Sequence, residues 1–219
     1  MTRTDRIIRK ELNMKTKDLR IIGSWKDVIN AARFTVGKKP LDKEPSYKFK
    51  LEMLIAEHSP IRVMNISWIW ENMPHWVGVH WVRHKWEKFV RTQRSDRTGI
   101  PREKLPQDEP QDFMGVANPQ SLIDTMRKRL CYKASPETRE YAEDLRDKLF
   151  EIGERELSMV CVPNCVYRGG CPEQIGCGLY EDFIRYIEEC GDSLYCLMDI
   201  GKRYALYDEY ITVQRVRNR

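Results

Sequence analysis

The chain has 219 residues, 41% hydrophobic and 10% aromatic, enough for one good core or a compact domain with an appendage. Charged residues make up 32% and the formal net charge is +5, a mild basic balance that suits anionic ligands but does not argue for a nucleic-acid binder. No apolar run approaches the roughly 20 residues of a membrane span, and residues 1–17 lack the apolar centre of an export signal, so a cytoplasmic location without membrane contact is expected.

In chain order, residues 1–20 read as a mobile basic arm, and Ser24 is placed to cap a short helix through Arg33. A Lys- and Pro-rich loop spans 37–45. Phe49, Leu51, Leu54 and Ile55 form a partial helical stripe over 47–58, stopped by Ser59-Pro60. From Arg62 to Trp70 the pattern alternates, with Met64, Ile66, Trp68 and Trp70 on one face and Asn65 and Ser67 on the other, as in a half-buried strand. Pro74 opens a helix carrying Trp76, Val77, His80 and Trp81, and the charges after His84 read as a loop. Asn118-Pro119 and Ser135-Pro136 are each a cap and first-turn pair for an amphipathic helix. A further helix is expected over 178–189 and a weakly alternating strand over 211–216.

The chemistry concentrates in WVRHKWEKFVRTQRSDR, residues 81–97, where Arg83, His84, Lys85, Arg91, Arg94 and Arg97 crowd beside Ser95 and Asp96. Guanidinium forks match phosphate oxygens bidentately, although a solvated basic helix face accounts equally well for such a run taken alone. A second block carries Arg102, Leu105-Pro106, Asn118 to Leu122, Arg129 and Ala134 to Arg139. Together the ordered set resembles the flavin-dependent thymidylate synthases, whose RHR segment, Ser-x-Arg element and Asn-x-x-Ser-Leu helix match here without a gap in the second block. Weaker matches lie upstream at Ala31-Ala32-Arg33, Thr35 and Ser59-Pro60, so the resemblance covers roughly residues 25 to 150.

The resemblance implies an α/β (α+β) fold with a central sheet flanked by helices, a homotetramer with sites at subunit interfaces, and reductive methylation of dUMP to dTMP. Bound FAD is implied as cofactor, with NADPH and methylenetetrahydrofolate as co-substrates. By position, Arg129 matches the catalytic arginine that favours ionisation of the uracil ring at N3, because a permanent cation lowers the pKa of an adjacent imide. Its other reading is a surface Arg on an amphipathic helix. The resemblance implies dUMP contacts at His80, Arg83, Gln93, Arg94, Ser95, Asp96, Arg97, Arg102 and Arg129, and FAD contacts at Thr35, Ser59, Arg83, His84, Lys85, Gln93, Asn118, Pro119, Gln120 and Asp124. His80 stands where the family usually has Gln, and a core His with a satisfied polar edge fits equally. A hydroxyl at Thr35 or Ser59 is as readily a turn cap.

Departures from the pattern are Lys85 for the third Arg, Gln93 for a usual Glu, Asp124 for a usual Asn, two extra residues before Ser95, and a short link from Arg97 to Arg102. Part of the usual substrate wall is therefore missing or supplied by the tail.

Six of the seven cysteines fall after residue 160, which marks 156–219 as a cysteine-rich extension packed on a catalytic domain of residues 21–155. Cys161, Cys165, Cys171 and Cys177 would suit a four-thiolate Zn site, but they lack paired C-x2-C knuckles. Free or partly buried thiols, and no metal, are the default expectation. Two rivals to the synthase remain: a pyrimidine-nucleotide hydroxymethylase on the same scaffold, motivated by the altered flavin motif, and a non-catalytic nucleotide- or nucleic-acid-binding protein.

Overall fold

The computed structural model describes residues 15–217, and the first fourteen residues of the expected arm lie outside them. Four antiparallel strands form one sheet: β1 (Thr16–Ile22), β2 (Asn65–Pro74), β3 (Glu87–Val90) and β4 (Pro110–Ala117), in the order β1-β2-β4-β3. Two expectations are corrected here. Thr16 to Arg20 are not an arm but the start of an edge strand, because Thr16 buries its hydroxyl to accept the Trp70 indole N–H at 3.0 Å. Glu87 to Val90 are not a loop but a short strand, whose backbone pairs with residues 113–116 of β4 while its side chains stay mostly exposed.

Around the sheet lie α1 (Trp25–Phe34), α2 (Tyr47–Ile55), α3 (His75–Trp81), the short α4 (Ser95–Thr98), α5 (Pro119–Arg129), α6 (Pro136–Glu151), α7 (Arg155–Val160), α8 (Asn164–Arg168), α9 (Leu179–Glu189) and α10 (Ile200–Arg217). The expected caps form: Ser24, Asn118 and Ser135 each accept a backbone N–H of the following first turn. No helix among the described residues is long and apolar enough to cross a membrane.

The alternation of Met64, Ile66, Trp68 and Trp70 buries all four, yet Ser67 on the opposite face is buried too, flanked by Arg20 of β1 and Val116 of β4. A central strand is shielded on both sides by its neighbours. Trp70 anchors the core, with ring centroids 4.5 Å from Trp81, 5.4 Å from Trp68 and 5.6 Å from Tyr141. Trp68 faces Gly115 across the ladder, where any Cβ would lie 2.3 Å from the indole, so that close approach requires glycine.

The last third shares this core. Leu157, Val160, Cys161, Val162, Cys165 and Val166 belong to the same buried cluster, and the expected division between 155 and 156 falls inside α7. Arg146 of α6 donates to the carbonyls of Ser158 and Cys161 and to the Asp208 carboxylate, tying α10 to the segment after α7. The strand expected over 211–216 is instead the end of α10. Tyr204, Tyr207 and Ile211 recur at helical spacing on its inner face, and Arg215 reaches Asp147 at 2.8 Å.

Candidate active site

Four pieces of chain build one cleft of about 800 Å³: Arg62 of the Ser59–Val63 turn, the turn after α3, α5 with its Asn118 cap, and α8 from the cysteine-rich tail. Asn118 accepts the Ser121 backbone N–H at 3.0 Å and the Leu122 N–H on its carbonyl, and buried Pro119 has no N–H, which leaves Gln120 as the first-turn donor available to an anion. On α5, Gln120, Asp124 and Arg127 recur at helical spacing and share the cleft wall with Lys128. Arg83, His84 and Lys85, Arg62, and Tyr167 and Arg168 complete the lining. Six cationic side chains (Arg62, Arg83, Lys85, Arg127, Lys128 and Arg168) thus stand against one carboxylate, Asp124.

Two arginines of α5, Arg127 in the cleft wall and Arg129 outside it, are organised by the protein itself. Arg127 pairs with Glu57, which also accepts the Gln120 amide, and its guanidinium lies 3.5 Å from the Tyr167 ring centroid. Burial disfavours its charge, but the Glu57 hydrogen bond and charge more than offset this and raise its pKa. Its Nε is buried without a hydrogen-bond partner. Arg129 points the other way around the helix: its Nε donates to His84 Nε2 at 2.7 Å and its Nη2 to the His80 carbonyl at 2.5 Å. Burial and then Arg83 lower its pKa. Burial first, then Arg129, Lys128 and Lys88, hold His84 at about 4, so the imidazole is neutral at physiological pH and free to accept from Arg129.

Arg83, His84, Lys85, Asn118, Gln120 and Asp124 line this cleft together, and Arg129, half-buried, reaches it through His84. Thr35 and Ser59 do not line the cleft. Thr35 is exposed and spends its hydroxyl on the Ala32 carbonyl at 2.8 Å, and Ser59 begins a 3-10 turn, Ser59–Val63. Gln93 and the segment from Arg94 to Arg102 also lie outside it. Arg94 forks onto Asp96 at 2.8 and 3.0 Å, Ser95 accepts the Arg102 backbone N–H at 3.2 Å, and the charged groups there are exposed. His80 is half-buried, with Nδ1 2.7 Å from the Thr138 hydroxyl and its lowered pKa due to burial and then Arg129, which is the satisfied-edge geometry.

Sequence reasoning missed Arg62, Ser121, Thr125, Arg127, Lys128, Asn164, Tyr167 and Arg168. The i, i+4 and i+7 spacing of Gln120, Asp124 and Arg127 carried a signal for that wall; nothing in the tail marked α8. Arg203 of α10 holds α8 in place, donating to the carbonyls of Val166, Tyr167 and Leu197 at 2.6, 2.8 and 2.5 Å.

Fold and cleft together define an antiparallel α/β scaffold with a cationic, nucleotide-sized groove at a helix start. Over 66% of the chain the fold is similar to that of solved flavin-dependent thymidylate synthases. The chain is similar to the synthase ThyX from Helicobacter pylori, crystallised with FAD and dUMP, at TM-score 0.53 and 13% identity over 66% of this chain and 99% of that one. It is similar also to PolB from Streptomyces cacaoi, a UMP/dUMP methylase bound with 5-Br dUMP, at TM-score 0.51 and 13% identity over 66% and 94%. No family profile and no curated protein matches the sequence.

Proposed function

We propose that the protein is a flavin-dependent thymidylate synthase, converting dUMP to dTMP with methylenetetrahydrofolate and NADPH. The observation that carries this reading is the convergence of Arg83, His84, Lys85 and the Asn118 helix start on one cationic cleft, with Arg129 locked to its His84 wall. The donor set suits a flavin dinucleotide: the cleft cations and the Gln120 N–H for the pyrophosphate, and in Arg127 Nε a buried donor still lacking a partner. Bound FAD would supply the reducing equivalents that turn a transferred one-carbon unit into a methyl group.

The chain's own residues bind, orient and polarise. Lys85, Lys128 and Arg168 neutralise phosphate charge along the cleft. Neutral His84 accepts from Arg129 Nε and so fixes the fork without competing with it for charge. Arg129, held as a cation beside the uracil ring, favours the N3-ionised form. Ser95, Asp96, Arg97 and Arg102, exposed outside the cleft, serve as dUMP contacts toward a neighbouring copy, which accords with a homotetrameric assembly.

The test is to purify the protein, record its visible absorption, add FAD and dUMP, and repeat after removing free ligand. Retained flavin bands with a dUMP-induced shift, followed by a methylated product by mass spectrometry, are expected. A hydroxymethylated product, or turnover of UMP in place of dUMP, would reject the thymidylate assignment while keeping a nucleotide-modifying enzyme. A protein that never retains FAD and binds DNA or RNA in a salt-dependent manner would replace it with the binding-protein reading.

A further inference from the structure

The α5 wall of the cleft is held from behind by a residue that does not line it. Glu57 follows α2 with a φ of 51°, in the left-handed backbone region. Its N–H donates to the Leu54 carbonyl at 3.2 Å and the next N–H, of His58, to the Met53 carbonyl at 3.1 Å. Glycine, and after it asparagine, is the residue that ends a helix this way without a steric penalty. A glutamate here costs backbone stability, and what offsets that cost is its side chain, only 20% exposed.

The two carboxylate oxygens of Glu57 serve different partners. One accepts from Arg127 Nη2 and the other from the amide nitrogen of Gln120, and both partners line the cleft. A carboxylate can only accept, so it fixes which way the Gln120 amide is turned: the NH₂ group faces Glu57, and the carbonyl oxygen is left for another donor. Arg127 is held on three sides, by Glu57, by Asp124 Oδ1 at 3.0 Å, and by the Tyr167 ring centroid 3.5 Å from its guanidinium. Tyr167 belongs to α8, so this stack joins the α5 wall to the tail.

We propose that Glu57 is a positioning residue of the cleft, orienting the Gln120 carbonyl oxygen to accept from a ring N–H or hydroxyl of a bound nucleotide and holding Arg127 on Tyr167 so that α8 stays against α5. This rests on the reading of the cleft as a nucleotide site and adds a source of selectivity to it. The cleft cations hold phosphate on any nucleotide alike, whereas an oriented acceptor rejects a ligand that brings it no donor. Gln120 is suited to the task because the carboxylate of Asp124 in the same wall is already engaged by Arg127.

The experiment compares FAD and inorganic pyrophosphate as ligands of the full wild-type chain, Glu57→Gln and Glu57→Gly, each shown to be folded by near-ultraviolet circular dichroism. Gln offers one acceptor oxygen in place of two, and Gly relaxes the backbone while removing the side chain. In both variants FAD should bind about tenfold more weakly, the equivalent of one hydrogen bond, with pyrophosphate within about twofold of wild type. Removing a negative charge near the cations would by itself tighten both ligands, so a selective loss of FAD runs against simple electrostatics. Adding Glu57→Gln to Gln120→Met should cause little further loss, because the two act through one contact. Should the Glu57 variants fail to fold, Gln120→Met alone carries the test, with the same selective loss expected. Unchanged or tighter FAD binding in the folded variants would overturn the proposal, and so would parallel loss of FAD and pyrophosphate, which would make Glu57 a support of the fold only. A wild-type chain that takes pyrophosphate but not FAD would reject the flavin reading; dUMP, whose ring carries an imide N–H, then replaces FAD in the same comparison. If wild type binds neither nucleotide, the role of Glu57 falls as well.

Discussion

Replacing His84 with Gln should remove a defined part of the protein's acid sensitivity. In the folded chain the imidazole is held at about 4, against 6.5 for the free side chain. The folded state therefore binds fewer protons than the unfolded chain between these values, so this stabilisation is complete above about pH 6.5 and is lost as pH falls toward about 4. Between about pH 7 and pH 5, linkage for this pair of values costs about 2 kcal/mol, and about 1 kcal/mol once solvent screening of a partly exposed ring is allowed for. Gln keeps an amide oxygen to accept from Arg129 Nε but does not titrate in this range. Urea unfolding of both proteins at the two pH values measures the effect, and the variant should lose about 1 kcal/mol less than wild type on acidification. An identical loss in both proteins would refute the claim that burial and Arg129 suppress the charge on His84.

Other substitutions probe separate parts of the argument. Gly115→Ala, which sets a methyl group against the Trp68 indole, should destabilise by about 1–3 kcal/mol in chemical denaturation, the usual cost of overpacking. Arg203→Met leaves the carbonyls of Val166, Tyr167 and Leu197 without their donor; a loss of about 3 kcal/mol or more is expected, with faster amide hydrogen exchange over 164–168. Arg168→Ala, removing one exposed cation from the cleft wall, should weaken FAD binding about tenfold by fluorescence titration without lowering the unfolding midpoint. Arg129→Ala should abolish turnover of dUMP while FAD is retained; undiminished turnover would reject its catalytic assignment.

Much of the local structure was legible along the chain. Asn118-Pro119 and Ser135-Pro136 announce helix starts because a cap and a fixed φ are properties of adjacent residues. The same holds for the alternation into Trp70, although burial of Ser67 was not legible, since shielding of both faces depends on which strands lie alongside. β3 was missed because its side chains stay exposed and carry no alternation; only backbone pairing with β4 makes it a strand. The last segment misled for the opposite reason, a chance two-residue alternation over 211–216 that the helical spacing of Tyr204, Tyr207 and Ile211 overrides.

The site divides along the same line. Sequence by itself determined which residue types gather near Arg83 and Asn118, because the basic run and the capped helix are local patterns read from neighbours. Tertiary structure alone decided that Arg127 would be tied to Glu57 and Arg129 to His84, since side chains two positions apart on a helix face different surroundings. It alone brought α8 to the cleft through Arg203. Contacts across tens of residues are set by packing of the shared core, and no spacing along the chain encodes them.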